Sequence, residues 1–374
     1  MELHRRRRSR GGWVLAGSLI GLSAALVGAY AVWPRAEFPE ASAAPPTSDA
    51  LAVFKSADRA LTSGDWQAAE QSYSQALSID ATSASAEIGL ARALVYQYKA
   101  AEATTHARRA VDLAPKRPEA LSTLALALSW AGDVDGATTV ARRTVDLDPN
   151  FAEGHALLAE TYADRYQLAD AWRSADRALS LDPLNVEGLR VRAYLYETAG
   201  QYAEAAGAYQ QAIEASPGFS HLHFALGTVL RVLGKSDEAA DEFRIAMTLA
   251  PSDARPRAGM ALLYMAESDV PAAIPYLEEA AQLDPAYATA QGQLGTARYF
   301  QGDYGRAREP LEAAIRLERN RDRQSTYRHV LGWVYLKLEM LDQAQAEFDA
   351  ALALNPQFEG AKEGLATVKA LRTP

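Results

Sequence analysis

Small and apolar residues return along most of this chain with a period of 34. Ala57, Ala91, Ala125, Ala159, Ala193, Gly227, Ala261 and Gly295 form one column. Ala69, Ala103, Ala137, Ala171, Ala205, Ala239, Ala273 and Ala307 form a second, and Pro115, Pro149, Pro183, Pro217, Pro251 and Pro285 mark a third. A repeat of this length carried through eight periods means a stacked array, in which each unit buries its face on the next.

Counted from residue 50, each unit reads as two helices joined by a tight turn. Gly64, Gly132, Gly200, Gly234 and Gly302 fall at repeat position 15, where the first helix ends and the chain needs a positive φ. Asp65, Asp133, Asp269 and Asp303 follow, placed to cap the second helix. Alanine at position 20 of every unit lets the two helices approach closely. The larger Tyr73, Tyr209 and Phe243 at position 24 fill space between units. The recurrent Pro ends the second helix.

Two irregularities stand out. The eighth unit has Arg319 in the Pro column, and the ninth starts three residues late, within an exposed Arg319–Arg323 stretch. Pro275 and Pro310 fall inside second helices and are expected to bend them or shorten their first turns. Phe358, Ala361, Leu365, Val368 and Leu371 share one face of a final helix that caps the last core.

Leu331-Gly332-x-x-Tyr335 followed by Ala344-x-x-x-Phe348, Ala351 and Pro356 resembles the tetratricopeptide repeat (TPR) motif. Leu226-Gly227, Ala239, Phe243, Ala246 and Pro251 resemble it equally. The resemblance covers residues 50–358 as nine units. It implies an all-α solenoid superhelix of nine helix-turn-helix units, with residues 359–374 as capping helix and tail. The family's frequent Trp at position 4 is missing, with Val53, His155, Leu189 and Arg328 in that column.

The N-terminus has a different pattern. Arg5 to Arg8 and Arg10 lie in a basic segment, residues 1–12, ahead of an uncharged run from Trp13 to Val32 that closes on Trp33. As a helix, residues 13–33 reach about 30 Å, enough for a bilayer's hydrocarbon core. Trp13, Tyr30 and Trp33 stand where interfacial aromatics do, and the Arg cluster favours a cytoplasmic N-terminus. The reading is a single-pass anchor with the array on the extracytoplasmic, periplasmic side. A cleaved signal peptide at Ala29-Tyr30-Ala31, followed by secretion, is the alternative. Gly17 and Gly21 fit a face that dimerises such helices, although both residues are simply common in membrane spans. Residues 34–49, rich in Pro, Ala and Ser, read as a tether.

Charge and composition narrow the function. The net charge is −9, but residues 1–35 hold six Arg and one Glu. The remainder keeps 32 of 38 basic and 46 of 47 acidic residues, a net −14. An acidic array repels phosphate backbones, which argues against nucleic acid. With no Cys, disulfides, thiolate metal sites and a Cys nucleophile are excluded. The six His form no i, i+4 ligand pair, and no phosphate loop or nucleophile elbow is present. No catalytic, cofactor or metal site is expected.

Binding remains. In the family the first helices line the concave groove. On this chain those positions are Arg92, Tyr96, Trp130, Arg190, Tyr194, His221, Phe224, Arg231, Arg255, Met265, Gln293, Tyr299, Phe300, His329 and Trp333. Toward the middle lie Glu119, Glu153, Glu160, Asp164, Glu187 and Glu197. Aromatic and Arg side chains supply binding hot spots, although individual aromatics also serve simply as packing between neighbouring helices. The resemblance implies a bacterial, membrane-anchored scaffold that binds protein or peptide segments for envelope assembly, secretion or cytochrome maturation. A glycan-handling groove and self-association are the alternatives. Four Asn, all at unit boundaries, fit neither the chaperone-tail clamp nor the Asn ladder of sugar-transferase arrays.

Overall fold

The 34-residue period becomes a pair of helices because its apolar columns lie on facing sides of two segments of about four turns each. The computed structural model describes residues 48–373. The first four pairs are α1 (Ser48–Ser63) with α2 (Trp66–Ile79), α3 (Ala84–Tyr96) with α4 (Ala100–Leu113), α5 (Pro118–Trp130) with α6 (Val134–Leu147), and α7 (Ala152–Asp164) with α8 (Leu168–Leu181). The middle three are α9 (Val186–Thr198) with α10 (Tyr202–Ala215), α11 (Ser220–Val232) with α12 (Ser236–Leu249), and α13 (Ala254–Ala266) with α14 (Val270–Leu283). The last two are α15 (Ala288–Gln301) with α16 (Tyr304–Leu317) and α17 (Arg321–Lys337) with α18 (Leu341–Leu354). A final helix, α19 (Glu359–Arg372), covers the ninth pair. No strand occurs among the described residues.

The turns inside the pairs carry the chemistry their sequence calls for. All five glycines at position 15 have φ between 72° and 86°. The other four repeats use the same left-handed geometry with Tyr98, Tyr166, Ser268 and Glu339. Asp65, Asp133, Asp269 and Asp303 each accept a backbone N–H from the first turn of the helix they precede.

The alanine columns are fully buried. Where position 24 is aromatic, the neighbouring helices give up side-chain volume. A Cβ on Gly227 or on Gly259 would lie 2.7 Å from the ring of Phe243, and one on Gly332 or on Gly364 would come as close as 2.6 Å or 2.4 Å to Phe348. Large and small residues therefore alternate across the stack, and each such core accepts only its own partner.

Several expectations are corrected. Pro275 and Pro310 do not shorten α14 and α16, which keep the 14 residues of the other second helices. The carbonyl that Pro310 leaves without its helical donor, on Arg306, accepts Nη1 of Arg298 at 3.1 Å. The insertion before the ninth unit becomes the first turn of the 17-residue α17, capped by Asn320. On α19, Ala361 and Val368 are buried, but Leu371 is 60% exposed.

The membrane location is also corrected. Among the described residues no helix is long and apolar enough to cross a membrane. The helices of the array are short and keep a charged outer face, whereas a span needs about 20 apolar residues. Residues 13–33, with Gly17, Gly21 and the dimer drawn from them, lie outside the described residues. So do residues 34–47 of the tether, whose last two residues already belong to α1. A single-pass placement, with its cytoplasmic N-terminus and periplasmic array, is not carried further.

Candidate binding groove

First helices pack side by side, α3 on α5, α5 on α7 and α7 on α9, and the surface expected as the groove runs along them. In repeats two to six that surface is filled by its own side chains. Arg92 of α3 pairs with Glu153 of α7, and its Nε donates to the Thr123 hydroxyl at 3.1 Å. The Tyr96 hydroxyl donates to Glu187 of α9 at 2.6 Å. Arg190 lies between two buried carboxylates, 2.7 Å from Glu187 and 2.8 Å from Glu160. The Tyr194 hydroxyl donates to Asp164 at 3.2 Å, and that of Tyr209 to Glu197 at 2.5 Å.

This network sets the charge states. Burial alone would raise both acids, and in Glu160 it prevails over Arg190 and pushes the carboxyl up. In Glu187 the opposing pull of Arg190, joined by the Tyr96 hydroxyl, holds the carboxyl down at about 2. One guanidinium thus serves two acids of unequal strength.

The curvature brings the first turn of the superhelix back onto itself. Trp66 opens α2, Tyr96 ends α3 and Trp130 ends α5. These three meet Phe219 and His221 at the start of α11. Ring centroids lie 4.8 Å apart for Trp66 and Phe219, and 5.3 Å for Tyr96 and Phe219. His221 stacks on Tyr96 at 5.0 Å with an interplanar angle of 6°. Beneath the rings the backbones touch, since a Cβ on Gly64 would lie 2.0 Å from the carbonyl oxygen of Gly218.

His221 is 7% exposed, and neither ring nitrogen has a hydrogen-bond partner. Burial lowers its pKa to about 3, so the ring is neutral. One helix pair further, the Arg255 guanidinium lies 3.0 Å from the centre of the Tyr98 ring and pairs with Asp253. Phe224 is half-buried against Phe243.

Beyond this closure the expected residues separate into two groups. His329 accepts the Trp333 indole N–H at 2.9 Å and packs on Phe358, so both serve the joint between α17 and α19. Met265 is half-buried against its neighbours. Gln293 is half-buried with no partner on its side-chain oxygen, and Arg231 is half-buried with no ion pair among the described residues. On α15, Tyr299 is half-buried and Phe300 is 64% exposed.

Sequence reasoning collected most of these residues but missed Trp66, Tyr98 and Phe219. They stand outside the groove columns and meet only through the superhelical pitch. The acids of the middle repeats, read as a break in the aromatic and basic lining, are its partners.

Family models described as tetratricopeptide repeat match residues 94–161 and 264–328, residues 156–218 and 190–254, and residues 325–358. No curated protein matches this sequence. Among solved structures, a chain of the APC/C hetero-tetramer Cut9–Hcn1 is 18% identical with a TM-score of 0.72. The match covers 86% of the present chain and 64% of that one, so the chain spans less than two thirds of this neighbour. A structure of the human IFIT1 dimer with PPP-AAAA is 18% identical over 78% of this chain and 72% of its own, with a TM-score of 0.59. Pseudomonas aeruginosa pilF is 17% identical over 58% and 97%, with a TM-score of 0.52. Likeness at this identity concerns the fold.

Proposed function

Because this chain belongs to the tetratricopeptide repeat family, we propose that it is a non-catalytic scaffold holding a segment of a protein partner on its concave side. The carrying observation is Phe300, which is 64% exposed next to the half-buried Tyr299. In repeats two to six the groove's aromatic and Arg side chains, Arg231 excepted, already have intramolecular partners. The surface left for a partner therefore centres on α15, where Gln293 is a polar member of the groove columns, with Arg231 two repeats earlier on α11. An aromatic anchor that is free before binding gains most from being covered.

The test is a photoreactive benzoylphenylalanine in place of Phe300 in living cells, with the same group in place of exposed Ile79 on α2 as control. The scaffold reading expects a discrete protein adduct from position 300 and none from position 79. The reverse pattern, or no adduct from either, would overturn it.

A further inference from the structure

Where the first turn of the superhelix closes, it leaves a cavity of about 500 Å³. One wall comes from the first two repeats, through Asp65, Trp66 and Tyr98. The other comes from the boundaries after the sixth and seventh, through Asp253, Arg255, Asp284 and Tyr287. The volume lies within the range of ligand sites, about 300–1,000 Å³. It exceeds what one side chain fills, so an occupant brings some of its own backbone.

The walls select the occupant by charge. They carry three carboxylates and one guanidinium, and Arg255 is consumed by Asp253 and the Tyr98 ring. Asp65 and Asp284 remain, one on each wall. Each accepts a single backbone N–H, from Ala68 and Ala286 respectively, and neither has an ion pair among the described residues. Tyr287, whose hydroxyl feels Arg255 and Arg323, adds an aromatic face to the same wall.

Arg255 on Tyr98 and Asp253 already shows what this environment holds, a cation between a carboxylate and an aromatic face. An anion would meet two unpaired carboxylates and no free cation. The net −14 beyond residue 35 draws basic segments toward the array in the same sense. We infer that this cavity receives an Arg or Lys side chain of the partner segment. The inference rests on the scaffold reading for the occupant's being a protein.

The test uses the full chain and fluorescence anisotropy at physiological ionic strength. The probe is a fluorescein-labelled Gly/Ser peptide carrying Arg-Gly-Arg, compared with the same peptide carrying Gln-Gly-Gln. The Arg peptide binds and the Gln peptide does not. Asp65→Asn with Asp284→Asn weakens binding at least about tenfold through loss of two charge-assisted partners, while Asn can keep the α2 cap at position 65 and the turn contact to Ala286 at position 284. Asp112→Asn with Asp176→Asn, two exposed acids that do not line the cavity, changes affinity less than about twofold, as screened surface charges do.

Equal binding of the two peptides, or an unchanged affinity in the cavity variant, would overturn the inference. If a protein adduct forms at position 300 while Arg-dependent binding is absent, the inference falls and the scaffold reading stands. If Arg binding depends on Asp65 and Asp284 but no adduct forms, the scaffold reading falls and the cavity remains a cation site.

Discussion

Three glycines separate backbone strain from superhelical closure. Gly234 has φ of 75° and open space where a Cβ would stand, so Gly234→Ala tests conformation alone. The left-handed region costs an L residue about 1–2 kcal/mol. Gly218 is the converse. Its φ is not positive, but its Cβ would lie 1.9 Å from the Ser63 carbonyl oxygen. Relief requires the two backbones to part by more than about 1 Å to reach ordinary contact distance. That costs about 1–3 kcal/mol as overpacking, and it loosens the Phe219 contacts with Trp66 and Tyr96, worth about 0.5–1.5 kcal/mol each.

Gly218→Ala is therefore expected to lose about 2–4 kcal/mol and to enlarge the radius of gyration. Gly234→Ala should lose about 1 kcal/mol at unchanged size. Gly64→Ala, with φ of 81° and the Gly218 carbonyl in its way, combines both effects. Urea denaturation followed by circular dichroism, with small-angle scattering on the same samples, reads both quantities. A Gly218→Ala protein as stable and as compact as the parent would refute the closure.

Other perturbations test the groove. His221→Phe keeps the stack on Tyr96 and removes two unpartnered nitrogens, so stability should rise by about 1–3 kcal/mol. The parent's His221 ring titrates at about 3 in the fold against an ordinary 6.5. Its contribution is complete above pH 6.5 and declines as pH falls toward 3, by at most about 4–5 kcal/mol. A melting series across that window should show a shallower acid limb for His221→Phe than for the parent. Arg190→Met strands Glu160 and Glu187 in the interior and should cost about 3–5 kcal/mol. Glu160→Gln and Glu187→Gln added to it should restore part of the loss in the melting temperature. Tyr166 has φ of 58° and is 88% exposed, so Tyr166→Gly should stabilise by about 0.5–1 kcal/mol, the left-handed strain relieved less the added chain entropy.

Much of the array was legible because its determinants are local. Position 15 announces its turn through Gly in five repeats, and Asp at position 16 announces its cap. At Tyr98, Tyr166, Ser268 and Glu339 the left-handed turn is legible only from register, since the residue type opposes it. That α16 keeps its full length around Pro310 was not legible, because the released carbonyl finds Arg298, a side chain on the preceding helix.

That Arg92, Tyr96, Arg190 and His221 belong to one region was legible, but their state was not. Whether Arg92 or Tyr96 faces a partner or fills the interior depends on how far the superhelix advances per repeat. That quantity is summed over Glu153, Glu187 and His221, up to 125 residues away, and no local pattern encodes it. Phe300 stays exposed because it lies beyond the turn that closes.

The absence of Cys makes the decisive measurement simple, since introduced thiols are the only ones. Gln67 and Ser252 line opposite walls of the cavity, and both are exposed. Spin labels on Gln67→Cys and Ser252→Cys, read by pulsed dipolar spectroscopy, report the closure directly. A single narrow, short distance is expected, broadened and lengthened by Gly218→Ala. A broad or long distribution in the parent chain would contradict a superhelix that closes on its own first repeats.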